Sequence, residues 1–335
     1  MSASATPARP HTRRLIAVLV LIPALAALAL WSFAWPATRT APRDLPLGVA
    51  GPATATAQLE KRLAGHPGAF EIHRYANEAA ARDAVEDRTV YGAVVATAQG
   101  PKLLTASAAS PLVAQLLDQA VTGQAPAGTE VTTVDVVPAS AHDPRGAALT
   151  ASVLPLALAG IAAGAVVTLL GLRGIRAVAA LVGAAALVGA VAAALAGSWL
   201  GVITGNWWAE AATLGLSTLA VSAAVAGLAA LFGAPGIGLG ALPIMLFGNS
   251  FSGAASAPEM LPEPVGAIGQ WMPPGAGTTL LRSVSFFDGA AAVGPALTLV
   301  CWTALGLGAV LLGNARKSRR TSPEPVAQRE PALVG

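Results

Sequence analysis

Long uncharged apolar runs and one extended polar stretch divide the chain. Residues Leu15 to Trp35 carry no charge, and at about 1.5 Å of rise per helical residue they cover a hydrocarbon core of roughly 30 Å. Further uncharged runs follow at residues 147–172, 177–200, 211–232, 237–255 and 290–312. The pattern predicts an α-helical membrane protein with six transmembrane helices. The fifth run is the most broken, because Gly238, Gly240 and Pro243 interrupt it and Asn249, Ser250 and Ser252 lie at its far end. It is read as a span, with a kinked or re-entrant segment as the alternative. Arg13 and Arg14 precede the first run as they would in a signal peptide. That run is longer than an ordinary signal-peptide core and more spans follow, so it is read as an uncleaved anchor.

Between the first two spans, residues 36–145 hold eleven acidic and nine basic side chains. A stretch this long and polar predicts a folded domain, not a linker. Strand-like runs at Leu47–Gly51, Phe70–Tyr75 and Tyr91–Thr97 alternate with helical patterns at Ala53–Leu63 and Glu78–Asp87. A β-α-β-α-β order implies a parallel sheet. A further strand at Lys102–Ala106 leads to Ser110 and Pro111, an N-cap and a first-turn proline, followed by a helix presenting Leu112, Val113, Leu116, Leu117 and Ala120. Glu130–Val137 closes this α/β domain as a strand.

Charge sets the orientation. Arg9, Arg13 and Arg14 flank the first span, Arg173 and Arg176 fill the turn between the second and third, and Arg316, Lys317, Arg319 and Arg320 follow the last. Basic clusters in short flanks belong on the cytoplasmic side. Both termini, residues 1–14 and 313–335, are therefore expected in the cytoplasm, the second as a disordered tail, and the α/β domain outside it. Trp207, Trp208 and Glu210, without Lys or Arg, suit an outer interface.

Composition agrees with a membrane assignment: 54% of residues are hydrophobic, 11% are charged, and the net charge is +3. Basic residues form no single stripe, which argues against a nucleic-acid partner. Three Lys against seventeen Arg in an Ala- and Gly-rich chain give a bacterial, GC-rich impression. Cys301 is the one cysteine, so neither an intramolecular disulfide nor a cysteine metal site can form. His11, His66, His73 and His142 show no ligand spacing, and no metal or cofactor is expected. The P-loop pattern is absent, so any ATP-driven work needs a separate subunit. No catalytic residue stands out, and none of the six runs holds an ionisable side chain near its middle. Proton-coupled carriers usually place one there.

Residues 256–289 read neither as a span nor as a polar loop. Pro258, Pro262, Pro264, Pro273 and Pro274 divide the segment, and its last helix presents Leu280, Leu281, Val284 and Phe287 opposite Arg282 and Ser285. That amphipathic piece is expected at the outer interface. Glu259, Glu263, Trp271 and Arg282 are its candidate substrate-path residues. The structural alternative is an interfacial plug that closes the bundle. Gly160 and Gly164, at G-x-x-x-G spacing, serve close helix packing within the chain or a dimer seam.

The layout resembles the membrane subunit of a type-2 ABC exporter, close to the phage-infection-protein-like permeases. LPLGVAG at the domain start, the YGAVVAT strand, the DPRG at 143–146 and QWMPPGAGTTLLR carry the resemblance. It implies a homodimer of permeases in membrane lipid, each engaged by a cytoplasmic ATPase subunit, exporting lipids, drugs or envelope precursors. The turn at Leu172–Arg176 is shorter than such a permease's coupling loop, and no amphipathic helix precedes the first span. The alternative is a non-transporting envelope protein whose outer domain binds a partner or phage.

Overall fold

The computed structural model describes residues 10–63, 65, 67–124 and 130–321. His66, residues 1–9 and residues 322–335 of the expected tail lie outside the described residues. The chain begins with helix α1 (Pro10–Ala37), whose apolar window is almost wholly uncovered by the rest of the protein. The polar stretch then folds as β1 (Leu45–Ala50), α2 (Ala53–Leu63), β2 (Phe70–Tyr75), α3 (Glu78–Glu86), β3 (Gly92–Thr97), β4 (Gly100–Thr105), α4 (Pro111–Gln124) and β5 (Thr132–Asp135).

The five strands form one mixed sheet in the order β2-β1-β3-β4-β5. β1 lies parallel to both β2 and β3, as the β-α-β-α-β pattern predicts, with Leu47 opposite Ile72 and Val49 opposite Val94. β4 runs antiparallel to β3, and β5 parallel to β4. The turn between β3 and β4 is too short for a crossover and can only reverse the chain. Gly100, at φ 131°, accepts a bond from the Thr97 hydroxyl there. Asn77 caps α3 by accepting from the Ala80 amide, and Ser110 caps α4 by accepting from Val113.

Both faces of this sheet are completed by residues from far along the chain. Leu45, Leu47, Val49, Val94, Leu103 and Leu117 enclose Met260 on one face. On the other, Ala50, Ala81, Val85, Ala93 and Leu104 pack with Phe287.

The second half contains α5 (Ala147–Leu169), α6 (Gly174–Ala193, prolonged by a π turn at Ala194–Trp199), α7 (Trp207–Phe232) and α8 (Ala234–Pro243, prolonged by a π turn at Ile244–Gly248). It ends with α9 (Val265–Trp271), α10 (Pro273–Phe286) and α11 (Val293–Thr321). Among the described residues five helices, α1, α5, α6, α7 and α11, are long and apolar enough to cross a membrane, as in a helical membrane protein. The run expected as a span at 237–255 is instead a shorter apolar helix over Ala234–Gly248, followed by turns.

α7 is the axis of the bundle: 67% of its apolar window is buried, against 22% for α5 and α6 and 17% for α11. Glycines set the approach of the neighbours. A methyl group at Gly160 would lie 2.8 Å from Val221, and one at Gly164 would lie 2.6 Å from the Ser222 carbonyl. The G-x-x-x-G pair thus faces α7 of its own chain.

α8 runs back along α7, with Gly236 against Leu228, Gly240 against Val225 and Ile244 against Val221 and Ala224. Helices α9 and α10 then form a tight hairpin. Its tip is tied down where the Trp302 indole donates to the Trp271 carbonyl at 2.8 Å. Trp302 lies nine residues into α11, about 14 Å along that helix. From the tip α10 returns beside α7, with Gly277 at Ser217 and Leu281 near Leu214 and Ile203. The amphipathic pattern of 278–287 points to one covered face; in the structure both are covered, since Arg282, Ser283 and Ser285 are buried along with Leu280 and Leu281. The small residues Gly275, Ala276 and Gly277 permit this enclosure.

Candidate functional site

A polar cluster joins the sheet domain to the helix bundle. Its first member is Arg88, just past the end of α3, held in the left-handed region at φ 59°. Its guanidinium donates through one nitrogen to the Thr279 carbonyl, at 3.0 Å, and to the Ser283 hydroxyl of α10. The guanidinium carbon lies 5.0 Å over the Phe287 ring. Burial pulls this guanidinium below its ordinary pKa, with Tyr91 and Glu259 partly offsetting that effect.

Tyr91, immediately before β3, donates its phenol to Glu259 Oε2 at 2.7 Å. Burial, and then the Glu259 carboxylate, push the phenol well above its usual value. Glu259 is half-buried on a single 3₁₀ turn, Pro258–Met260. That turn is held by the segment ahead of β1: Ala41 N–H donates to the Met260 carbonyl at 3.0 Å and Arg43 N–H to the Glu259 carbonyl at 2.9 Å.

Arg282 comes from α10 and is 5% exposed. It donates to the Ala254 carbonyl at 2.7 Å, and the Thr150 hydroxyl of α5 donates to the same oxygen at 2.9 Å. One carbonyl thus pins α5, α10 and the loop after α8. Gln270 extends the network, donating to the Ser252 carbonyl at 3.0 Å and accepting from the Thr279 hydroxyl at 2.7 Å. Among the described residues the ion pairs are His73–Glu71, Arg74–Glu60 and Lys102–Glu78, and none involves Arg88 or Arg282.

Of the four sequence candidates, Glu259 and Arg282 are thus drawn into one junction. Glu263 and Trp271 are exposed elsewhere, Trp271 at the hairpin tip. Arg88 and Tyr91 were not singled out, because a basic residue after a helix and a tyrosine entering a strand are ordinary features of an α/β fold. Glu210, read with Trp207 and Trp208 as suiting an outer interface, is 2% exposed and accepts from Gly205 N–H at 2.8 Å, a helix-start role beside the Asn206 cap.

Next to the junction, α5 and α6 diverge around an apolar groove of roughly 500 Å³, closed at the back by Leu214 and Leu281. Ser152 is its one polar side chain, and that hydroxyl already donates to the Leu149 carbonyl at 2.7 Å. The groove therefore offers dispersion contacts and almost no hydrogen bonds. At the opposite end of the bundle a wider cavity of about 920 Å³ lies between the α5–α6 turn, the α7–α8 turn and α11, with Arg173 on its wall. Among the described residues no group of three His, Cys, Asp or Glu side chains is placed to share a metal ion.

Comparison of the chain with protein-family models, curated proteins and solved structures finds no match in any of the three.

Proposed function

We propose that the chain is a permease-like subunit of the cell membrane that exports a hydrophobic or cell-envelope compound, driven by a separate ATPase. The observation that carries this reading is the apolar groove between α5 and α6, which ends beside the junction bound to the sheet domain. A solute with a hydrocarbon part can enter such a groove sideways from lipid without stranding a polar group. In this reading six segments cross. α8 and the turns after it carry the chain from the Arg173 end of the bundle to Ala254 at the domain end, completing the crossing that α8 alone is too short to make. Arg173 and Arg176 then face the cytoplasm with both termini, and the domain of residues 36–145 lies outside.

The ATPase would bind at the cytoplasmic end, around the cavity walled by Arg173, and a homodimer would present two such ends. The test combines gentle purification in search of a bound ATPase with compound export in a deletion strain. No associated ATPase together with unchanged export would overturn the proposal. The alternative, an outer domain that binds a partner while the helices only anchor it, predicts activity from residues 36–145 on an unrelated span. Met260 and Phe287 speak against it, because a domain cut away from them loses part of both cores.

A further inference from the structure

We infer that the groove between α5 and α6 binds one acyl chain of an anionic phospholipid from the outer leaflet, with its phosphate held at Arg145 and His142. The inference rests on the membrane orientation proposed above and names the class of amphiphile the groove takes.

Depth is the first argument. The α5 wall runs from Ala148 to Leu156 and the α6 wall from Leu187 to Leu200, about 12 Å and about 20 Å at 1.5 Å per residue. Half of a hydrocarbon core of roughly 30 Å lies between these values, so the groove spans one leaflet. Trp199, 76% exposed, closes the π turn that prolongs α6, and Trp208, 75% exposed, lies in the first turn of α7. Exposed indoles at matching ends of neighbouring helices mark the headgroup level. The groove's mouth therefore opens where phosphates lie.

Charge at that mouth is the second argument. Arg145 is exposed, three residues before Ala148 of the groove wall, and no ion pair involves it among the described residues. His142 is also exposed and lies against Gly201, between Leu200 and Val202 of the lining; a methyl group on Gly201 would sit 3.1 Å from its Nδ1. The nearby Asp143 does not cancel this charge at the surface. It is 8% exposed, and its oxygens accept from the amides of Ala147, Ala148 and Leu149 at 2.8, 3.0 and 3.1 Å. Glu210 is buried near Gly197 and accepts from the Gly205 amide. Arg145 and His142, both exposed and adjoining lining residues through Ala148 and Gly201, are the guanidinium and the imidazole N–H that the inference sets against a phosphate.

The experiment uses the full chain in nanodiscs, without ATP or any ATPase, so its outcome is independent of whether transport occurs. Phosphatidylglycerol and phosphatidylcholine carrying the same diazirine-labelled chain are photolysed, and labelled peptides are mapped. The inference expects phosphatidylglycerol to label residues 148–156 and 187–200 several-fold more heavily than phosphatidylcholine. Filling the groove with Ala192→Trp should lower that labelling about tenfold while labelling of α1 is kept. Arg145→Gln combined with His142→Gln, both at exposed positions, should bring phosphatidylglycerol down to the phosphatidylcholine level. Equal groove labelling by the two lipids would overturn the anionic class. Labelling no heavier in the groove than on α1 would overturn the site itself.

Discussion

Replacing Arg88 by Ala removes the side chain that, among the described residues, hydrogen-bonds from the sheet domain to α10, taking away its bonds to Thr279 and Ser283 and its place over Phe287. Hydrogen bonds from a charged donor contribute about 1.5–3 kcal/mol each, and a cation over an aromatic ring about 0.5–2 kcal/mol. The cost of keeping a guanidinium out of water works against both, so the net loss should be about 2–4 kcal/mol. Backbone strain separates the side chain from its setting. At φ 59° a non-glycine residue costs roughly 1–2 kcal/mol, so Arg88→Gly should be about 1 kcal/mol less destabilising than Arg88→Ala. Hydrogen exchange read by mass spectrometry reports on the junction directly. A local loss of about 2 kcal/mol should speed exchange of amides 279–287 roughly 30-fold while α5 and α11 keep their protection. Unchanged exchange at 279–287 in Arg88→Ala, or a Gly variant less stable than the Ala variant, would refute the reasoning.

Two further outcomes follow from packing and from titration. Gly164→Val should lower the unfolding temperature through about 1–3 kcal/mol of overpacking against α7, whereas Gly183→Ala on α6, with open space around it, should leave that temperature unchanged or raise it. Tyr75 and Tyr91 are the two tyrosines, and burial raises both. A folded-state value above the unfolded one, near 10, means their stabilising contribution is complete below about pH 10 and is lost as pH rises further. Tyrosinate absorbance should show at most one of the two residues titrating near pH 10 in the native protein, because Tyr91 is held above that range, and both titrating there in denaturant; a two-residue native step at that pH would contradict the junction's geometry.

The sheet domain was legible because its physics is local. Short apolar runs alternating with helical patterns, and the Ser110 cap ahead of Pro111, place each element within a few residues of where it lies. The reversal of β4 was not drawn from the sequence, although the short turn after Thr97 contains it. The long spans were legible for the same reason, hydropathy being a property of each segment alone. What stayed hidden depends on distant partners. The enclosure of α10 needs Gly277 against Ser217 and Leu281 against Leu214, and no pattern within 273–286 reveals that its polar face is covered as well. Arg88 and Tyr91 matter because Glu259, Thr279 and Ser283 meet them from about 170 to 195 positions away. The groove likewise arises from the divergence of two helices that each read as ordinary spans.

The most direct test of the export reading follows a fluorescent amphiphile across inverted membrane vesicles from cells producing the wild-type chain or Ala192→Trp, with ATP supplied on the cytoplasmic face. The account predicts ATP-dependent uptake into the vesicle lumen by the wild-type membranes and uptake reduced to the deletion-strain level for the filled groove. Equal uptake by wild-type, filled-groove and deletion membranes would contradict it.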